Sequence, residues 1–123
     1  MSSSPYKGKT GLRRIWNAFR YTLQGLAAAF RYEDAFRQEI LLALVLIPLA
    51  FLAASGGANH ALLIGSVLLV LIVELLNSAL EAAVDRISLD NHDLAKRAKD
   101  IGSAAVFVSL VNLAVVWLLV LLG

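Results

Sequence analysis

Apolar and polar residues are segregated along this chain. Ile40–Val73 and Ile101–Gly123 carry no charge, while ten charged residues lie from Lys7 to Glu39 and ten from Glu74 to Asp100. The second charge-free stretch, IGSAAVFVSLVNLAVVWLLVLLG, suits the roughly 20 apolar residues a helix needs to cross hydrocarbon. It predicts a span over about 98–122, with Trp117 toward the far interface. Ile40–Val73 is too long for one crossing and is divided by Ser55-Gly56-Gly57-Ala58-Asn59-His60. A Gly-Gly pair flanked by Ser and Asn predicts a turn, hence a helical hairpin. Its first arm contains Pro48, which membrane helices tolerate when neighbours satisfy the freed carbonyl. That arm is short unless extended back through Ala35 and Phe36 with Arg37 snorkelling, giving about 36–54. The second arm starts at Ala61 and runs on through ELLNSALEAAVDRI without a breaker, one helix over about 61–87 that leaves the membrane still folded.

Upstream, Leu12, Ile15, Trp16, Phe19, Leu23, Leu26 and Phe30 recur at steps of three and four, with Arg13, Arg14, Asn17, Arg20 and Gln24 between them. This spacing predicts an amphipathic helix over about 12–31, suited to the headgroup plane. Residues 1–11 read as a flexible tail and 12–123 as a single domain. The expected fold is an all-α membrane protein with three transmembrane helices and an N-terminal amphipathic surface helix.

Composition strengthens that reading. The chain has 123 residues, 59% hydrophobic and 16% charged, whereas soluble domains carry about 45–50% apolar and about 25% charged residues. The composition argues against a soluble monomer, and disorder is excluded because apolar surface is abundant. The absence of cysteine excludes disulfides and thiolate-bound metal. All eleven Lys and Arg lie before the first span or in 86–99, and the 55–60 turn has none. The positive-inside rule then places the N-terminus in the cytoplasm and the C-terminus across the membrane.

The acids carry the candidate chemistry. Glu74, Asn77, Glu81 and Asp85 are spaced to form one stripe on the second spanning helix. Glu74 follows thirteen uncharged, almost wholly apolar residues, and a carboxylate at that depth usually faces the protein interior and marks a functional site. The plain alternative, a juxtamembrane face meeting solvent, suits Asp85 better than Glu74. A carboxylate among apolar neighbours can accept a proton near neutral pH, while one nearer water suits a hard cation such as magnesium. Asn77 between them could orient either one or a substrate hydroxyl. Glu33 and Glu39 flank Arg37 before the first span. Glu33 would approach Glu81 if the surface helix folds back, or Glu33-Asp34 would simply favour the next helix N-terminus. Lys99, with Asp100 adjoining, could hold a phosphate or serve only as a positive-inside anchor. His92 alone carries little.

AFRQE (Ala35–Glu39), VELLNSALEAAVDRI (Val73–Ile87) and AKDIGSAAV (Ala98–Val106), in this order and spacing, closely resemble the prokaryotic diacylglycerol kinase family of small integral membrane enzymes. The likeness covers roughly residues 11–122, departing at Leu23-Gln24 and Asn91. It implies transfer of the ATP γ-phosphate to the hydroxyl of diacylglycerol, giving phosphatidic acid at the cytoplasmic interface of a bacterial inner membrane. It also implies a homotrimer with sites shared between subunits. By resemblance, Glu74 matches the catalytic base, and Glu33 and Glu81 the carboxylates holding Mg2+ with the nucleotide phosphates. Arg14, Tyr21, Asp90, Asn91, His92, Lys99 and Asp100 match nucleotide-contacting positions, as do Glu33 and Glu81. Ala35, Phe36, Arg37, Gln38, Glu39, Asn77 and Ser103 match positions near the lipid or supporting the catalytic acid. Two alternatives stand beside this reading. The same family contains undecaprenol kinases, and a small oligomeric proton or cation channel could use Glu74 and Glu81 as a pore ring. Nothing points to nucleic acid.

Overall fold

A computed structural model describes residues 11–87 and 92–123. The expected tail, apart from Gly11, and the candidates Asp90 and Asn91 lie outside the described residues. Four helices follow in order: α1 (Gly11–Tyr32), α2 (Asp34–Ala53), α3 (Gly57–Ile87) and α4 (Asp93–Leu122). The last three are long and apolar enough to cross a membrane. No cis peptide bond occurs among the described residues.

The chain divides into two units, Met1–Glu33 and Asp34–Gly123. In the first, α1 is one unbroken helix of 22 residues. Its local contacts are intrahelical: Trp16 and Phe19 rings lie 6.2 Å apart, and the Arg20 guanidinium sits 5.7 Å from the Tyr21 ring centre. The Glu33 N–H closes the helix on the Ala29 carbonyl at 2.9 Å.

In the second unit, α2, α3 and α4 run up, down and up. Along the α3–α4 seam, Trp117 meets Leu63 and Ser66 near one end, Gly102 meets Asn77 and Leu80 further along, and Lys99 meets Asp85 at the other end. On the α2 side, Ala43 and Ala50 pack with Leu63, Val67 and Trp117 in one buried cluster. Helix packing in lipid gains nothing from water exclusion, so small residues that let backbones approach are favoured at the seam. Ala43, Ala50, Ser66, Gly102 and Ser109 are all buried there.

Two element boundaries fall earlier than the sequence spacing suggested. α3 begins at Gly57 rather than Ala61. Gly56 adopts φ +93, a left-handed conformation that costs glycine little, so it makes the turn alone. Asn59 then donates from Nδ2 to the Ser55 carbonyl at 3.0 Å, and the His60 N–H reaches the Gly56 carbonyl at 3.1 Å, so the first helical turn is already formed. The His60 ring packs tilted against Phe51, centroids 4.8 Å apart, and its Nε2 bonds the Ala54 carbonyl at 2.8 Å, fastening the two arms. α4 starts at Asp93 rather than about 98 because His92 caps it, Nδ1 accepting the Leu94 N–H at 3.1 Å. Trp117 is buried against α3, its indole N–H pointing into the seam.

Candidate active site

The polar centre of the second unit is built where α2 and α3 each bring one buried acid. Glu74 follows the apolar run of α3 and is only 4% exposed; Glu39, one turn beyond Ala35 on α2, is 9% exposed. Their carboxyl groups lie close enough for one to act on the other, and two neighbouring carboxyls can hydrogen-bond only if one of them carries a proton. Ser78, one turn along α3, donates to Glu74 Oε2 at 3.3 Å. The other Glu39 oxygen, Oε2, is buried with no hydrogen-bond partner among the described residues.

One turn toward the charged end of α3, Asn77 donates from Nδ2 to Glu81 Oε1 at 3.2 Å. Its Oδ1 is the second buried polar atom without a partner. Beyond Glu81, Asp85 receives Lys99 Nζ from α4 at 2.5 Å, and the Glu81 charge also acts on Lys99. The stripe Glu74, Asn77, Glu81, Asp85 thus grades from a buried acid pair to a half-exposed ion pair. Native proteins leave few buried polar atoms unpaired; here Asn77 Oδ1 lies on this stripe and Glu39 Oε2 lies on α2.

Other candidates are placed differently. Phe36 is buried while Ala35 and Gln38 are exposed. Arg37 pairs with Asp34 in the first turn of α2, so its charge is held at the helix start. Asp100 takes Lys96 Nζ at 2.7 Å on the exposed face of α4, and Ser103 is exposed. Arg14, Tyr21 and Glu33 belong to the N-terminal unit. His92 sits at the α4 cap beside an apolar groove lined by Val84, Ile87, Leu94, Ala95 and Ala98.

No group of three or more His, Asp or Glu able to hold a metal occurs among the described residues. Magnesium bound with a nucleotide does not require one, since it commonly takes one or two carboxylates and completes its shell with phosphates and water. Glu81, an oxygen donor at the wetter end of the stripe, suits that chemistry.

The residue spacing had marked Glu74, Asn77 and Glu81, but two pairings escaped it. Glu39 meets Glu74 only because the hairpin folds α2 onto α3. Asp85, which suited a solvent-facing position, finds Lys99 across the α3–α4 seam. Opposite charges on two helices meeting at one membrane boundary were the available signal.

The chain is all-helical among its described residues, with three helices long and apolar enough to cross a membrane and a polar centre on α2 and α3. The sequence model described as prokaryotic diacylglycerol kinase matches residues 20–121. The chain is 59% identical, over the full length of both, to a diacylglycerol kinase of Pseudomonas aeruginosa. It is 51% identical to that of Haemophilus influenzae over 88% of this chain and 92% of the relative. To that of Escherichia coli K12 it is 46% identical, over 91% and 92%. The chain belongs to the prokaryotic diacylglycerol kinase family and is an enzyme, a kinase that phosphorylates an alcohol group.

Proposed function

We propose that this protein transfers the γ-phosphate of ATP to the free hydroxyl of diacylglycerol, yielding phosphatidic acid and ADP at the cytoplasmic face of the bacterial inner membrane. The observation that carries the reading is the buried Glu39–Glu74 pair on apolar helices, in a chain of this family. A lipid hydroxyl lies at the depth where Glu74 sits, below the water but within reach of it.

Glu74 is the base in this reading. It takes the hydroxyl proton as the lipid oxygen bonds to the γ-phosphorus and the bond to the ADP oxygen breaks. Glu39 holds Glu74 in place and shares its proton, which then returns to water. Phosphoryl transfer depends mostly on positioning and charge neutralisation, and the rest of the stripe supplies these. Asn77 orients Glu81, while Lys99 and Asp100, with Arg14, Tyr21 and the Asp90–His92 stretch, contact the nucleotide. Glu33 and Glu81 would hold Mg2+ carried with the phosphates. That ion would supply neutralisation of the phosphate charge. Ala35–Arg37, Gln38 and Ser103 border the lipid.

The basic residues before α2 and around α3–α4 support a cytoplasmic N-terminus and a C-terminus on the far side. The apolar positions of α1 suit a helix lying at the membrane surface, after a flexible tail, within one domain from residue 12. A three-helix protomer offers a stripe rather than an enclosed pocket, so the working enzyme is a homotrimer whose copies complete each site. Family membership favours this kinase over an ion channel.

The test is purified protein in phospholipid vesicles with radiolabelled ATP and Mg2+, offered diacylglycerol or undecaprenol in parallel. Label moving into phosphatidic acid is expected. Preferential label in undecaprenyl phosphate would reassign the acceptor, and nucleotide-independent ion flux without label transfer would overturn the reading.

A further inference from the structure

The buried oxygen of Asn77 leads to a residue on another helix that no chemistry had singled out. Gly102 of α4 is buried against α3. A methyl carbon there would lie 3.2 Å from Asn77 Cγ and 3.7 Å from Leu80 Cδ2, and would overlap Asn77 Oδ1. The other glycines inside described helices differ. A methyl group at Gly25 of α1 or Gly65 of α3 would meet nothing within 4 Å. Gly102 is thus the place where the space of a missing side chain is filled by the tip of a polar one.

That occupancy fixes which way the carboxamide faces. With Nδ2 donating to Glu81 Oε1, Oδ1 turns toward α4, into the space a side chain at Gly102 would take. The reverse orientation would set the amide oxygen against a carboxylate oxygen, two acceptors facing each other. Any side chain at position 102 would push the amide out of this seat and pull Nδ2 from Glu81. No polar partner on α4 holds Oδ1, so the fit against Gly102 is what keeps the amide in register.

We propose that Gly102 is a positioning residue: the space left by its missing side chain seats the Asn77 carboxamide, and through it the Glu81 carboxylate. This rests on the kinase reading only for its effect on turnover; the seating itself is a property of the α3–α4 seam. Alanine favours helix more than glycine does, so Gly102→Ala tests the space and not the backbone.

The experiment compares Gly102→Ala with Gly65→Ala in vesicles, using protein labelled with 15N-asparagine and an Asn77→Ala sample to assign the side-chain amide. The Asn77 amide resonance shifts in Gly102→Ala and stays in place in Gly65→Ala. Turnover in Gly102→Ala falls about tenfold, the lower end of what losing a partner of a metal-site ligand costs. Half-saturation by Mg2+ rises several-fold while the KM for lipid is unchanged. Gly65→Ala shows neither effect. If Gly102→Ala does not fold, Gly102→Ala combined with Asn77→Ala does, because the clash is gone. An unmoved amide resonance, or failure of both single and double variants to fold, overturns the proposal. A shifted resonance in a protein without kinase activity upholds the seat and rejects only the reading of function.

Discussion

The two ends of the α2–α4 unit treat buried polar atoms in opposite ways. At the end near the hairpin turn, Trp117 Nε1 donates to the Leu63 carbonyl at 3.3 Å and to Ser66 Oγ at 3.2 Å. Ser66 Oγ in turn donates to Leu63 at 2.8 Å, and His60 is bonded to the Ala54 carbonyl. Every one of these groups has its partner within the chain. At the charged end, Glu39 Oε2 and Asn77 Oδ1 are buried with none among the described residues. Unsatisfied polar atoms in lipid are costly, and under the proposed function a ligand at the open end would supply the missing partners. One end is stabilised by its hydrogen bonds; the other keeps acceptors in reserve.

The largest effect should come from the open end. Glu74→Gln keeps the shape and hydrogen-bonding capacity but cannot take the proton. Turnover should fall by about 10²–10⁴-fold, the usual scale for a lost general base, with circular dichroism and oligomer size unchanged. Glu39→Gln should lower turnover by about ten- to a hundredfold, as for loss of a residue that orients a reacting group. Steady-state label transfer measures both, and equal effects from the two would erase the division of labour between base and support.

The closed end predicts the reverse behaviour. Trp117→Phe removes one donor from a buried seam and should lower stability in controlled denaturation by about 1 kcal/mol, within the range of measured interhelical hydrogen bonds in membranes. Activity per folded molecule should not change. Smallest of all, Asp85→Asn breaks the Lys99 ion pair, whose side chains are 41% and 61% exposed. Stability should change by less than about 1 kcal/mol, read in the same denaturation assay. A larger loss would place that pair among the structural contacts.

Spans, hairpin and acidic stripe were legible in the sequence because each rests on periodicity within one helix. Charge-free blocks count crossings, and Glu74, Asn77 and Glu81 fall on one face by spacing alone. What lay beyond reach were pairings between helices. Glu39 and Glu74 are far apart in sequence, and nothing local says that α2 turns that face to α3. Gly102 was invisible for a related reason, since a small residue in an apolar helix has many uses and only the packed seam shows which. The position of Trp117 near a span end was legible, but not the Leu63 and Ser66 partners its indole N–H finds on α3. The start of α3 was placed late because the Ser55–His60 cluster looks like loop until Asn59 and His60 are seen to satisfy the turn.

The central claim, that the open end does the chemistry, is tested most directly by label transfer from γ-labelled ATP to diacylglycerol in vesicles holding equal amounts of folded wild type, Glu74→Gln or Trp117→Phe. The account predicts near wild-type transfer for Trp117→Phe and background for Glu74→Gln. Transfer by Glu74→Gln within a few-fold of wild type would contradict it.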